Sequence, residues 1–206
     1  MSRALTAKGA ATRGRIVNGA VGLLRERGSE QVSLDDIRGA TATSKSQLFH
    51  YFPEGRAQIL LAVAEHEAEQ VIEDQQPYLD ELGPPASWVA WRDTVVEKYV
   101  AQGSNCPLTA LTRQLVPAHA TAVGPVVADM LEVWYRRIAA GVERSDSDED
   151  PETRAAVILS AIQGGVALLQ ATGRSEFLRT ALDTALEPVI SAQRTPHAGA
   201  IEIASK

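Results

Sequence analysis

The chain has 206 residues, of which 45% are hydrophobic, and a formal net charge of −6. That is enough apolar material for a substantial core in one or two domains. A single cysteine, Cys106, excludes an internal disulfide and a cysteine-ligated zinc site. No run approaches the length needed to span a bilayer, and the N-terminus lacks the apolar stretch of a signal peptide. The expectation is a soluble cytoplasmic protein without membrane contact.

The charge is unevenly placed. Residues 1–60 hold nine Lys/Arg against five Asp/Glu, a balance of +4, whereas the remainder holds eleven against twenty-one, a balance of −10. A basic head on an acidic body suits a protein that meets phosphate at one end only.

Helical periodicity runs through nearly the whole chain. Ile16, Val17, Ala20, Val21, Leu23 and Leu24 recur at helical spacing before Gly28, predicting a first helix from about Thr12 to Arg27. Ser33 with Asp36, and Ser44 with Gln47, are two capping-box pairs that open a second and a third helix. Only about Thr41 to Thr43 is left between them, a length that fits a helix-turn-helix. Pro53-Glu-Gly55 breaks the pattern, and a long amphipathic helix follows from about Arg56 to Gln76. Gly83-Pro-Pro85 starts a fifth helix. A short sixth ends near Pro117, and a seventh carries Val126 to Ile138. Residues 143–150 read as a solvated acidic loop. Asp150-Pro151 then opens an eighth helix to about Ala171, and a ninth runs from about Ser175 to Ile190. The prediction is an all-α chain of about nine helices with no strand. A helix-turn-helix domain spans 1–55, a helical ligand-binding and dimerisation domain spans 56–192, and 193–206 is a flexible tail.

Residues Thr12 to Val63 resemble the N-terminal domain of the TetR family of transcriptional repressors. The match is carried by Thr12-Arg13-x-x-Ile16, Gly28, Ser33-x-x-Asp36-Ile37, Ser44-Lys45-x-x-Leu48-Phe49-x-Tyr51-Phe52 and Ile59-Leu60. Further on, Gly103-Ser-Asn-Cys106-Pro107-Leu108, the Trp134 helix and Ala161-Ile-Gln-Gly-Gly165 look like the lincomycin-resistance and flavonoid-responsive subgroup. The resemblance implies that Thr43, Ser44, Lys45, Ser46 and Gln47 face bases or nearby phosphates. Major-groove geometry lets Lys45 reach guanine and Gln47 pair with adenine. The His50 ring and the Tyr51 hydroxyl can donate to phosphate, Ser33 and its helix end can hold another, and Leu48, Phe52 and Ile37 should point inward. Three departures stand out. Ala42 replaces the turn glycine, at a cost of about 1 kcal/mol if that residue needs a positive φ. Phe49 replaces the common tyrosine. Gly55 replaces the usual lysine, with Arg56 beside it as a substitute.

A single recognition helix reads few base pairs, so a homodimer on a double-stranded DNA operator is expected. The last two helices, broad in their apolar faces and rich in small residues, are expected to form a four-helix contact across it. Trp88, Trp91, Tyr99, Cys106, Leu111, Met130 and Trp134, with Gln163 as a polar anchor, suit a pocket for an apolar or aromatic inducer. Arg113 and Gln114 are weaker polar candidates. Within the family, ligand binding moves the heads out of register with the operator.

An enzymatic reading finds little footing. The four histidines are scattered, and His66 among Glu65, Glu67 and Glu69 reads as a solvated face rather than a metal site. Cys106 has no evident base, and no phosphate loop follows a strand. No cofactor and no metal are expected. The rival reading is an all-α small-molecule-binding or interaction protein without sequence-specific DNA binding.

Overall fold

The computed structural model describes residues 6–28, 31–103, 116–145 and 147–191. Among them lie eight α-helices and no strand: α1 (Ala7–Arg27), α2 (Leu34–Ala40), α3 (Lys45–Tyr51), α4 (Arg56–Glu73), α5 (Pro85–Gln102), α6 (Val116–Glu143), α7 (Pro151–Thr172) and α8 (Glu176–Ser191). The all-α expectation holds. Cys106, Leu111, Arg113, Gln114, most of the expected short sixth helix and the 193–206 tail lie outside the described residues.

Two boundaries differ from those expected. α1 starts at Ala7, because Thr6 caps it by accepting the Gly9 N–H at 3.2 Å and the alanine-rich stretch that follows has high helix propensity. α6 takes in Pro117, which was expected to end a preceding helix. Pro117 sits in the first turn of α6, where its missing N–H has no intrahelical partner to lose.

The chain divides into two compact units, one drawn from Met1–Glu73 and Ser104–Leu131, the other from Asp74–Gly103 and Glu132–Lys206. In the first, α1 packs on α2 and α4. Ile16, Ala20, Ile37, Leu48, Phe52, Ile59 and Ala64 are fully or almost fully buried, so each short helix is pinned by at least one large side chain. Glu67 corrects the solvated-face reading of α4. Its side chain is 4% exposed, and both carboxylate oxygens lie 2.9 Å from Arg25 Nη2, tying α1 to α4. A lone buried carboxylate would be costly, and this pairing satisfies it.

In the second unit α8 packs on both α5 and α7. Asp150 caps α7 by accepting the Thr153 N–H at 2.8 Å, and hydrogen bonding from the Thr153 side chain, then from that N–H, holds its carboxyl below the ordinary range. A Cβ at Gly165 would lie 2.6 Å from the Leu178 Cα, so only glycine permits the approach of α8 to α7 seen here. No bilayer-length run was expected, but α7 is long and apolar enough by composition to cross a membrane, with a mean hydropathy of 1.6. Alanine, valine, isoleucine and leucine on most of its faces produce that value.

Candidate nucleic-acid interface

The head is built on two reciprocal caps. Ser33 Oγ accepts the Asp36 N–H at 3.1 Å, and the Asp36 carboxylate accepts from both the Ser33 N–H and its hydroxyl. Those two bonds, with a smaller contribution from Arg27, hold the Asp36 carboxyl below its usual value. At α3, Ser44 Oγ accepts the Gln47 N–H at 3.1 Å and Gln47 Oε1 accepts the Ser44 N–H at 3.2 Å. Both capping boxes expected from the sequence are therefore present.

Between the caps the chain turns in three residues. Ala42 adopts φ +47, the left-handed conformation that glycine takes without penalty. Thr41 and Thr43 are both buried, with their hydroxyls 2.9 Å apart. Thr41 Oγ1 also lies 2.7 Å from the Ile37 carbonyl, to which it donates. These bonds bolt the end of α2 to the start of α3.

The predicted contact residues separate on this geometry. Ser44, Lys45, Ser46, Gln47 and His50 are exposed along α3, and Tyr51 is half-buried, with its ring edge-on to His50 at 4.8 Å. Leu48, Phe52 and Ile37 are buried as expected. Thr43 differs from its exposed neighbours, since its side chain is buried in the turn. Ser33 is exposed at the start of α2. Its hydroxyl and amide are both engaged with Asp36, and the Asp35 and Asp36 carboxylates crowd that helix end. Arg56 is half-buried and donates from Nε to the Val32 carbonyl at 3.3 Å, joining the start of α4 to the approach of α2. Phe49 is 39% exposed, leaving an apolar ring where a hydroxyl would serve phosphate better.

Sequence reasoning missed Arg38. It lies in the last turn of α2, pairs through Nη1 with Asp35, and borders an open concavity of about 660 Å³ with Asp35, Gly39, Ala42, Thr43 and Ser44. The three-residue spacing from Asp35 was a legible sign of the pair. The concavity depends on the turn and was not.

The expected ligand residues divide likewise. Trp88 and Trp91 are fully buried and meet edge to face at 5.8 Å. Their indole N–H groups donate to Ser145 Oγ and Gln75 Oε1, each at 2.8 Å. They belong to the core of the second unit, with their polar edges satisfied by protein. Tyr99 is also buried there. Trp134 Nε1 and Gln163 Nε2, in the same unit, are buried donors with no acceptor in reach among the described residues. Met130 falls in the first unit. Among the described residues, no group of three or more His, Cys, Asp or Glu could hold a metal ion.

Residues 16–63 match the model of the bacterial regulatory proteins of the tetR family. The head is similar to the DNA-binding heads of that family. The chain is a DNA-binding transcriptional regulator, not an enzyme. An uncharacterized HTH-type transcriptional regulator of Mycobacterium tuberculosis is 26% identical over 170 residues, which span 76% of this chain and 82% of that protein. The HTH-type transcriptional regulator CymR of Pseudomonas putida is 34% identical over 73 residues, 35% of this chain and 36% of CymR. Among solved structures, a TetR transcriptional regulator from Chloroflexus aurantiacus superposes with a TM-score of 0.71 at 21% identity, covering 92% of this chain and 98% of that one. The flavonoid-responsive regulator FrrA gives 0.64 at 20% identity, covering 89% and 97%. These likenesses extend the TetR-family fold beyond the head to most of the chain.

Proposed function

We propose that the protein is a cytoplasmic homodimeric repressor that grips a palindromic operator with two copies of α3 and lets go when a small, largely apolar or aromatic molecule binds the second unit. The observation that carries this reading is the exposed strip Ser44-Lys45-Ser46-Gln47 on a helix whose opposite face is pinned by Leu48 and Phe52. Lys45 and Gln47 are assigned to base edges, and Ser44, Ser46, His50, Tyr51 and Arg56 to the backbone. Gln47 has to share its Oε1 with the cap in order to pair with adenine.

Dimerisation through α7 and α8 is supported by what those helices leave outward. Val157 and Leu168 are 43% and 46% exposed. A groove of about 590 Å³ lined by Val157, Ala161, Phe177 and Ala181 runs between the two helices. Large apolar side chains in such a groove gain by burial against a second copy. For the inducer, the unsatisfied donors of Trp134 and Gln163 favour an apolar molecule with carbonyl or phenolate oxygens, since buried donors without acceptors are costly. A planar polyphenol of the kind implied by the flavonoid-responsive subgroup meets that description.

The test is binding to the DNA upstream of the protein's own gene. The parental chain should bind with a steep salt dependence, and Lys45→Ala combined with Tyr51→Ala should weaken it at least about tenfold. Undiminished binding by that double variant refutes the assignment.

A further inference from the structure

We infer that Arg38 is a DNA-backbone contact which Asp35 holds in reserve until the head meets a duplex. The inference deepens the DNA-binding reading above and rests on it. Arg38 is the cation at the C-terminal end of the bracing helix α2, and it lines the same concavity as Ser44, the N-cap of α3. In a helix-turn-helix the bracing helix crosses the DNA backbone while its partner enters the groove, so a phosphate passes this position.

The resting state of Arg38 is a compromise. Nη1 is bound to Asp35, but Nε is buried with no hydrogen-bond partner among the described residues. Asp35 is 83% exposed, and so exposed a partner holds a guanidinium weakly. A planar fork with one donor unsatisfied and another weakly held is well suited to exchange a carboxylate for a phosphate, which it can grip with two parallel bonds. Gly39 and Ala42, the small residues lining the concavity, leave room for that movement. Asp35 in turn sets the threshold. Once Arg38 has moved, a bare carboxylate is left close to the phosphate and weakens the gain.

The proposed partner is the sugar-phosphate backbone, so the operator is not needed to test it. Fluorescence anisotropy with a random-sequence duplex of about 30 base pairs, long enough for two half-sites, is the assay. Affinity is measured across salt for the parental chain and for Arg38→Ala, Arg38→Gln, Asp35→Asn and Lys45→Ala. Arg38→Ala and Arg38→Gln should each lower affinity by about tenfold and flatten the logarithmic salt slope by about 0.9 for each phosphate no longer neutralised. Asp35→Asn should tighten binding. Parental affinity and slope in both Arg38 variants, with melting temperatures unchanged, overturn the inference. So does an Asp35→Asn loss equal to that of the Arg38 variants, which makes the pair a structural brace. If Lys45→Ala weakens binding and the Arg38 variants do not, this inference alone fails. If the parental chain ignores the duplex even at low salt, the DNA-binding reading fails with it.

Discussion

Two glycines one helical turn apart in α1 should respond to the same substitution with opposite signs. A Cβ at Gly22 meets nothing within 4 Å, so Gly22→Ala gains the helix-propensity difference unopposed, about 1 kcal/mol. A Cβ at Gly19 would lie 2.3 Å from Thr41 Cγ2. Thr41 cannot rotate away cheaply, because its hydroxyl donates to the Ile37 carbonyl and sits 2.9 Å from that of Thr43. Turning it forfeits those bonds, at about 1 kcal/mol each, on top of an overpacking cost of about 1–3 kcal/mol. The overlap therefore outweighs the propensity gain, and Gly19→Ala should destabilise by about 2–4 kcal/mol net. In thermal denaturation that corresponds to a fall of several degrees, against a rise of about 2–4 °C for Gly22→Ala. Gly19→Ala should also weaken DNA binding, because the displaced threonine is the bolt that aims α3. Equal stabilisation by both substitutions would show that Thr41 is not fixed, and would remove the argument for a rigid turn.

Three further outcomes follow from the same geometry. Ala42→Gly relieves the left-handed backbone at φ +47 and should raise stability by about 0.5–1 kcal/mol after the entropy of glycine is deducted; a chemical denaturation midpoint that falls would contradict it. The Asp36 carboxyl lies below its ordinary value when folded, so it stabilises the head above the unfolded value and loses that contribution as pH falls through the lower folded one. Asp36→Asn should accordingly melt below the parent at neutral pH and converge with it in acid; a gap that stays constant with pH would count against the capping account. Val157→Glu with Leu168→Glu should yield monomers in sedimentation, whereas an intact dimer would move the interface away from α7 and α8.

What was legible in the sequence was whatever depends on local spacing. Ser33 with Asp36 and Ser44 with Gln47 announced two helix starts that the structure places as expected. Ala42 stood where a glycine was wanted, and its positive φ follows from the turn. Other features depend on contacts between distant residues. Glu67 sits in a charged stretch, and its partner Arg25 lies 42 positions earlier, beyond the reach of local spacing. Thr43 was grouped with the exposed start of α3 because the period marks a helix face but does not reveal that Thr41 encloses this side chain. The tryptophans illustrate the same limit: an aromatic-rich helix is compatible with a core or a pocket. The hydrogen bonds to Ser145 and Gln75 separate Trp88 and Trp91 from Trp134, whose N–H has no acceptor among the described residues.

Selection of bound duplexes from a random pool tests the central claim most directly, that paired copies of α3 read DNA sequence. The expected product is an inverted repeat whose half-sites are centred one helical turn apart, about 34–36 Å, or a whole multiple of it, with the enrichment abolished by Lys45→Ala. An unenriched pool, or the same repeat recovered with Lys45→Ala, would contradict it.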